Sequence, residues 1–478
     1  MPLSPNPNDR DNGLQVLVVG GSIGGIATAI ALKAQGHHVK IYEQANSHDI
    51  RGGGINVFPN ALGALRNLGV DLDDIRATKV KKVTRFLVSE EGDSLVDSDT
   101  TLDKDACVWH NTTYRDLLEA LRDRLQDPKA PGPRADIFTS QQIVRIDPKK
   151  GILFLADGSE ARGHVIVGAD GVHSMCRASV SHGNMQRFRL QKGVFRAVIP
   201  CERLLSEPKV SRFIQDSGQA FCYNLDHKSL LIWPASENEN VCVKFLYDDL
   251  TGFKSLCKDW REPSSKMKLL RLAQGFPEEC IALLNAISGD ALQDQPIWDM
   301  DPLRQYHVNR LVLMGDAAHP MPPHCGQRVA MALEDAVALG VLLERNVPQD
   351  GVEDRFKLYS GTRSTRSSAV QQFIRGLNEA DIWRGTGAFH GSAFRTYILG
   401  HDERLHMSRT LGIWKIQQAF QQDIPKQAVA QLRETPSPQQ KPQDSKPVQR
   451  PALQQMGRSR SWLSRLKSPK PPAAITSS

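Results

Sequence analysis

The eight cysteines among the 478 residues form no C-x-x-C pair and follow no regular spacing. That argues against a disulfide framework and for buried, reduced thiols in an intracellular protein. Internal repeats are absent. The opening MPLSPNPNDRDN has no basic segment leading into an apolar stretch, so no secretory signal is expected. The longest apolar run, Leu14 to Leu32, is interrupted by Gly20, Gly21, Gly24 and Gly25 and divides into strand, turn and helix rather than a membrane span. The body of the chain also lacks net charge. Residues 431 to 478 carry nine Lys or Arg against Glu434 and Asp444, which accounts for the whole chain's +7. A local basic tail is a different thing from a basic domain, and no nucleic-acid partner is expected. That tail holds eight prolines among Gln, Ser and Lys and has too little apolar surface to offset the entropy of ordering.

What is present begins with LQVLVVGGSIGGIATAIALKAQGHHVKIYEQ. It reads as a buried strand to Val19, a glycine turn, an Ala-rich helix from Ile23 to Gln35 and a second strand from Val39 to Glu43. This is the opening βαβ unit of a dinucleotide fold. Gly20, Gly24 and Gly25 let the backbone approach a pyrophosphate at the helix N-terminus, with Ser22 where a middle glycine is usual. Glu43 stands where a carboxylate accepts hydrogen bonds from a ribose diol. Taken alone, the fingerprint does not separate NAD from FAD. ILFLADGSEARGHVIVGADG is a hairpin turning at Asp157-Gly158 that feeds a strand ending at Asp170-Gly171, so the nucleotide fold resumes after an interruption. Residues Val80 to Val96 and Phe188 to Tyr247 alternate apolar and polar, as antiparallel sheet with one wet face does. In RLVLMGDAAHPMPPHCGQRVAMALEDAVALG a short strand stops on Gly315-Asp316 and a helix begins near Gln327, an arrangement that places a carboxylate and helix amides at one sheet edge.

Three stretches occur in order: RGGGINVFPNALGALRNLG after Glu43, GADGVHSMCR at 168 to 177, and MGDAAHPMPPHCGQ at 314 to 327. From Leu14 to Leu343 this constellation resembles the class A flavoprotein monooxygenases, the family of salicylate hydroxylase and para-hydroxybenzoate hydroxylase, in a fungal-type form. The resemblance implies an α/β Rossmann-like FAD-binding domain (13–78, 105–185, 296–360) interrupted by a mainly antiparallel β substrate domain (79–104, 186–295). A helical segment (361–430) follows, with a flexible N-terminus (1–12) and a disordered basic tail (431–478). It implies hydroxylation of a phenolic or other aromatic small molecule, with FAD as cofactor, NAD(P)H and O2 as co-substrates, and dioxygen added at the flavin C4a.

Carried over residue by residue, the family's glycine fingerprint falls on Gly20, Ser22, Gly24 and Gly25. Glu43 falls on the adenosine ribose, Gly54 near the flavin, Asp170 and Gly171 on the pyrophosphate and nicotinamide motif, and Gly315 and Asp316 on the ribityl chain. Val329 falls beside the flavin pyrimidine, and Arg115 is the nearest match to an Arg that touches FAD in relatives. Arg196 in GVFRAVIP and Tyr223 in FCYNL match an Arg and a Tyr that hold phenolic substrates. The chain departs from the family at Arg328, where the turn ordinarily has Gly, and a side chain there would be strained if the backbone needed positive φ.

Plainer readings stand beside these. Asp170 and Asp316 also suit turn or cap positions, Arg196 a half-exposed surface site and Tyr223 a core site. His319 and His324 have no clustered Cys or carboxylate partner in sequence, so no metal is expected. Two rival functions share the fold: a flavin oxidoreductase or epoxidase acting on a non-aromatic substrate, and a degenerate binding protein with weak FAD affinity. The tail stretch RSRSWLSRLKSPK suits a weak membrane or protein contact, and the expected compartment is the cytoplasm.

Overall fold

In a computed structural model, residues 13–46, 52–89, 92–99, 109–183, 187–249, 265–323, 326–376 and 395–423 are described. The expectations for residues 1–12 and 431–478, and for His324, Cys107, Cys257 and Cys325, lie outside that range. Contacts divide the chain into Met1–Gln418 and Ala419–Ser478, and every described strand belongs to the first unit.

The run QVLVV forms the strand Gln15–Val19 at the heart of a six-stranded sheet. Its spatial order is His307–Val308, Leu311–Leu313, Val165–Gly168, Gln15–Val19, His38–Tyr42, Asp136–Phe138. All neighbours are parallel except the edge strand His307–Val308. A parallel sheet is covered on both faces, which is why its strands are continuously apolar. The helix Ile23–Ala34 packs on the helix Gln327–Leu342 over this sheet, so closely that a Cβ on Gly340 would lie 2.8 Å from the Ala31 Cβ. In register, Val19 faces Gly168 and Gly168 faces Leu313. Hence the glycine turn, Asp170-Gly171 and Gly315-Asp316 leave the sheet side by side at its carboxyl edge, where open α/β sheets bind ligands.

The second sheet has seven strands, in the order Gln293–Asp299, Phe188–Pro200, Asn240–Asp248, Lys228–Ala235, Gln219–Leu225, Lys82–Ser89, Gly92–Asp99. It is antiparallel except where Gln219–Leu225 runs parallel to Lys82–Ser89. The expectation of one wet face is corrected. Lys228–Ala235 and Asn240–Asp248 are buried along almost their whole length. Phe195, Tyr223, Leu230 and Phe245 pack on one face with the helices Lys266–Leu272 and Glu278–Ala286, and Val194, Cys222, Trp233 and Cys242 form a second cluster on the other. Helices cover one side of the central strands and cavities that can take a ligand lie on the other, while Leu87 and Phe188 in the flanking strands stay exposed.

Beyond residue 360 the described chain is helical, through Val352–Gly376 and Glu403–Asp423 with a π-turn at Arg395–Leu399. Among the described cysteines, Cys176, Cys222, Cys242 and Cys280 are buried, Cys201 is partly so, and none is paired. No described helix is long and apolar enough to cross a membrane.

Candidate active site

The glycine turn shows which of its residues must be glycine. Gly20 has φ +109°, and a Cβ on it would sit 2.4 Å from the Ala169 carbonyl oxygen; one on Gly25 would sit 2.0 Å from the Gly20 oxygen. Neither overlap can be relieved by turning a side chain, because both partners are backbone. Ser22 occupies ordinary extended backbone (φ −73°, ψ 174°) as the residue before the helix, so a side chain is tolerated there. Glu43, at the end of the neighbouring strand, accepts hydrogen bonds from the Gly21 and Ala45 amides, both at 2.7 Å. The acid is thereby fixed beside the turn.

Gly52 and Gly54 close the far side. A Cβ on Gly52 would overlap Tyr114, and one on Gly54 would lie 2.6 Å from Cys242 and the Trp233 indole nitrogen. Ser22, Gly24, Gly52, Gly54, Tyr114, Asp316, Arg328 and Val329 are among the residues lining a cavity of about 330 Å³. A second cavity of about 380 Å³ adjoins it, lined by Asp170, His173, Val194, Trp298 and Met321, among others. Gly171, Arg196, Gln295, Pro323 and Arg328 face both.

Gly315 takes φ +56° and gives its amide to the buried Asp335 carboxylate at 2.8 Å. Asp335 also receives His319 Nε2 at 2.7 Å and Arg363 Nε at 2.7 Å. Burial works to raise the Asp335 pKa, but His319, Arg363 and the Gly315 amide together hold it at about 2. His319 is thus a buried partner of Asp335, the packed alternative to a catalytic base. Next in sequence, Glu334 accepts from Asn60, Arg363 and Arg366. This charged network anchors the helix Gln327–Leu342, whose first turn lines the cavity. A Glu-Asp pair inside an otherwise apolar helix, matched by Arg363 and Arg366 one turn apart, is the sequence signal for it.

Asp170 fills a capping role, since its carboxylate accepts from the Ser174 hydroxyl and the Met175 and Cys176 amides. It also borders the second cavity. Arg177, the last residue of GADGVHSMCR, does what sequence reasoning missed. Its buried guanidinium donates to the carbonyls of Ala317 and Asp316 at 2.8 Å and of Val172 at 2.9 Å, which ties the two ligand-facing loops together.

Two expected contacts fall elsewhere. Arg115 points out of the helix Tyr114–Gln126 and pairs with Glu119, its side chain 57% exposed. Its neighbour Tyr114 lines the cavity instead, with burial pushing its hydroxyl up to about 12. Helix phase explains the exchange: Tyr114 shares the buried stripe of Leu117, Leu118, Leu121 and Leu125, and the next residue is turned away by a third of a turn. Tyr223 is wholly buried, stacks on Phe86 at 4.7 Å and lies on the helix-covered face of the seven-stranded sheet. Arg196 lines the cavities on the opposite face. Phe195, which packs in the same cluster as Tyr223, directly precedes Arg196, and adjacent strand residues point to opposite sides, so Arg196 and Tyr223 cannot hold one ligand.

Arg196 sits directly across from Lys244 in the strand register. Like charges opposite one another repel, and Lys244 gives its ammonium to the Pro323 carbonyl at 3.2 Å. The Arg196 Nε makes no hydrogen bond. Burial, helped by nearby Arg328, lowers the Arg196 pKa to about 10, so it remains charged at neutral pH. The condition for strain at Arg328 is not met: Gly326 takes the left-handed turn (φ +62°), and Arg328 is the second residue of a regular helix. The Arg328 side chain reaches back to Asp316, with Nε donating to Oδ1 at 3.2 Å and Nη2 to Oδ2.

A chain whose two helix N-termini, Glu43 and glycine-lined cradle converge on one sheet edge has the parts that hold a flavin dinucleotide. The FAD binding domain family matches residues 13–374, and the chain belongs to that family. It is 27% identical to hispidin-3-hydroxylase of Neonothopanus nambi over 84% of this chain and 97% of that protein. It is 28% identical to 6-hydroxynicotinate 3-monooxygenase of Bordetella bronchiseptica over 75% of this chain and 90% of that protein. Among solved structures it is similar in fold to CtdE in complex with FAD and substrate, with a TM-score of 0.68 and 18% identity over 84% of this chain and 98% of that one. The chain is an FAD-dependent monooxygenase.

Proposed function

We propose that this monooxygenase hydroxylates a phenolic or other anionic aromatic small molecule, using NAD(P)H and O2. In this reading FAD lies along the glycine turn with its ring end in the 330 Å³ cavity, and the aromatic ring lies in the adjoining 380 Å³ cavity. Glu43 takes the ribose diol, Asp316 the ribityl hydroxyls, and the amide of Val329 at the helix start the pyrimidine end. Gly171 lets ligands pass close to backbone, and Asp170 acts by holding its loop. The chemistry FAD supplies when bound is hydride acceptance from NAD(P)H and transfer of one oxygen atom of O2 to the ring. The protein's share is to orient the ring, exclude water with Pro296, Ile297, Trp298 and Met321, and hold charge on the substrate oxygen.

The observation that carries the reading is Arg196: a charged guanidinium facing both cavities, with an unpartnered Nε and Lys244 as its cross-strand neighbour. A cation there lowers a phenol's pKa and makes its ring carbon more nucleophilic. Arg196→Gln should raise KM for a stimulating phenol roughly tenfold or more, with Arg196→Lys in between. The test is NAD(P)H oxidation and oxygenated product formation across a panel of salicylate, 3-hydroxybenzoate, 6-hydroxynicotinate and a non-aromatic alkene. Stimulation by the alkene alone, or an unchanged KM in the Gln variant, would sink it. The cytoplasm as compartment, and a weak membrane or protein contact through the basic tail, belong to the same proposal.

A further inference from the structure

Arg328 places a cation where three other positive features already converge. It stands in the first turn of a 16-residue helix, at the positive end of the helix dipole. Arg196 lies close enough to depress its own pKa through Arg328, and Lys244 lines the same cavity. Among the described residues lining that cavity, Asp316 is the one carboxylate, and both of its oxygens are engaged by the Arg328 guanidinium. The Arg328 side chain is 33% exposed and that of Asp316 is 20% exposed, so the pair is partly screened rather than sealed.

We infer that Arg328 competes with FAD for Asp316, and so sets the chain's cofactor affinity. The inference rests on the FAD placement proposed for this site. For the ribityl hydroxyls to reach the Asp316 carboxylate, the guanidinium must give up at least one of its two hydrogen bonds and part of the cavity volume it fills. The second cavity, which Arg328 also faces, offers the room for it to move. The helix need not move with it. Gly326 carries the left-handed turn, and Asn60, Arg363 and Arg366 hold the next turns through Glu334 and Asp335, so the change is confined to one side chain.

The test is titration of the full-length chain with FAD, followed by quenching of flavin fluorescence and by calorimetry, in the wild type, Arg328→Gly and Arg328→Met. Removing a charge-assisted pair that must open on binding should tighten FAD roughly tenfold in both variants. Met keeps the helix propensity and much of the length, so tightening in Met as in Gly assigns the effect to charge rather than space. Equal Kd values in all three forms would overturn the inference, as would weaker binding in the variants, which would mean that the guanidinium contacts the cofactor favourably. Glu43→Ala separates this from the FAD placement itself: if it leaves the wild-type Kd unchanged, the placement fails, whatever Arg328 does.

Discussion

In the proposed placement of FAD, the two ends of its cradle are built on different principles. At the pyrophosphate end, backbone meets backbone: Gly20 and Gly25 are fixed by contacts that no Cβ could enter, and Glu43 is fastened by two amides. At the flavin end, side-chain charges decide the arrangement, with Arg328 paired to Asp316 and Arg196 and Lys244 lining the same cavity. At the first end the backbone has one solution, and a Cβ added at Gly20 or Gly25 is a folding event. At the second, replacing a partly exposed charge such as Arg328 is a change of affinity.

The sharpest way to break this contrast is Gly25→Ala. A methyl group 2.0 Å from the Gly20 carbonyl oxygen forces the turn apart, at about 3 kcal/mol, a typical cost of overpacking. Urea unfolding should show a clearly lower midpoint, and a midpoint within error of wild type would mean that the turn is pliant.

The next largest effect belongs to the network under the flavin end. Asp335 is held at about 2 in the folded chain against about 3.8 when unfolded, so its contribution is fully present above pH 4 and is lost as pH falls toward 2. That contribution is on the order of 2 kcal/mol. Asp335→Asn should be less stable at pH 7 and show a flatter decline in thermal midpoint between pH 4 and 2. An acid profile parallel to wild type would remove Asp335 from the account.

Smaller again, Glu43→Ala should weaken FAD about tenfold while leaving the unfolding midpoint near wild type, the loss of one charged hydrogen-bond acceptor for a ribose. Fluorescence titration checks it. At the bottom of the scale, Arg115→Ala should change FAD affinity less than twofold, because its exposed pair with Glu119 is worth little. A large loss would restore Arg115 to the cofactor site.

The same contrast marks what could be read from the sequence. Strand, glycine turn, helix and acid are local patterns, so the tight turn at Gly20 and Gly25, the place of Glu43 beside it and the strand leading into Gly315-Asp316 were all legible. Where geometry depends on the phase of an element, the motif alone misleads. Arg115 and Tyr114 differ by one helical step, and the stripe of Leu117, Leu118, Leu121 and Leu125 already favoured the tyrosine. Arg196 and Tyr223 lie on opposite faces, which two-residue periodicity can show only once strand pairing is known. Arg177 and the pairing of Arg328 with Asp316 arise from contacts across more than one element. No window of sequence contains them.

The seven-stranded sheet divides labour between its faces in a way that matters to anyone who would redesign the enzyme. Val194, Arg196 and Lys244 point to the ligand side, with Gln293 and Gln295 beside them, whereas Phe195, Tyr223 and Phe245 on the reverse hold the helices in place. A mutagenesis library confined to Val194 and Gln295, which face each other in register, samples new substrate shapes without disturbing the reverse packing. The alternation of a single strand thus sorts residues into those open to selection for new chemistry and those closed to it.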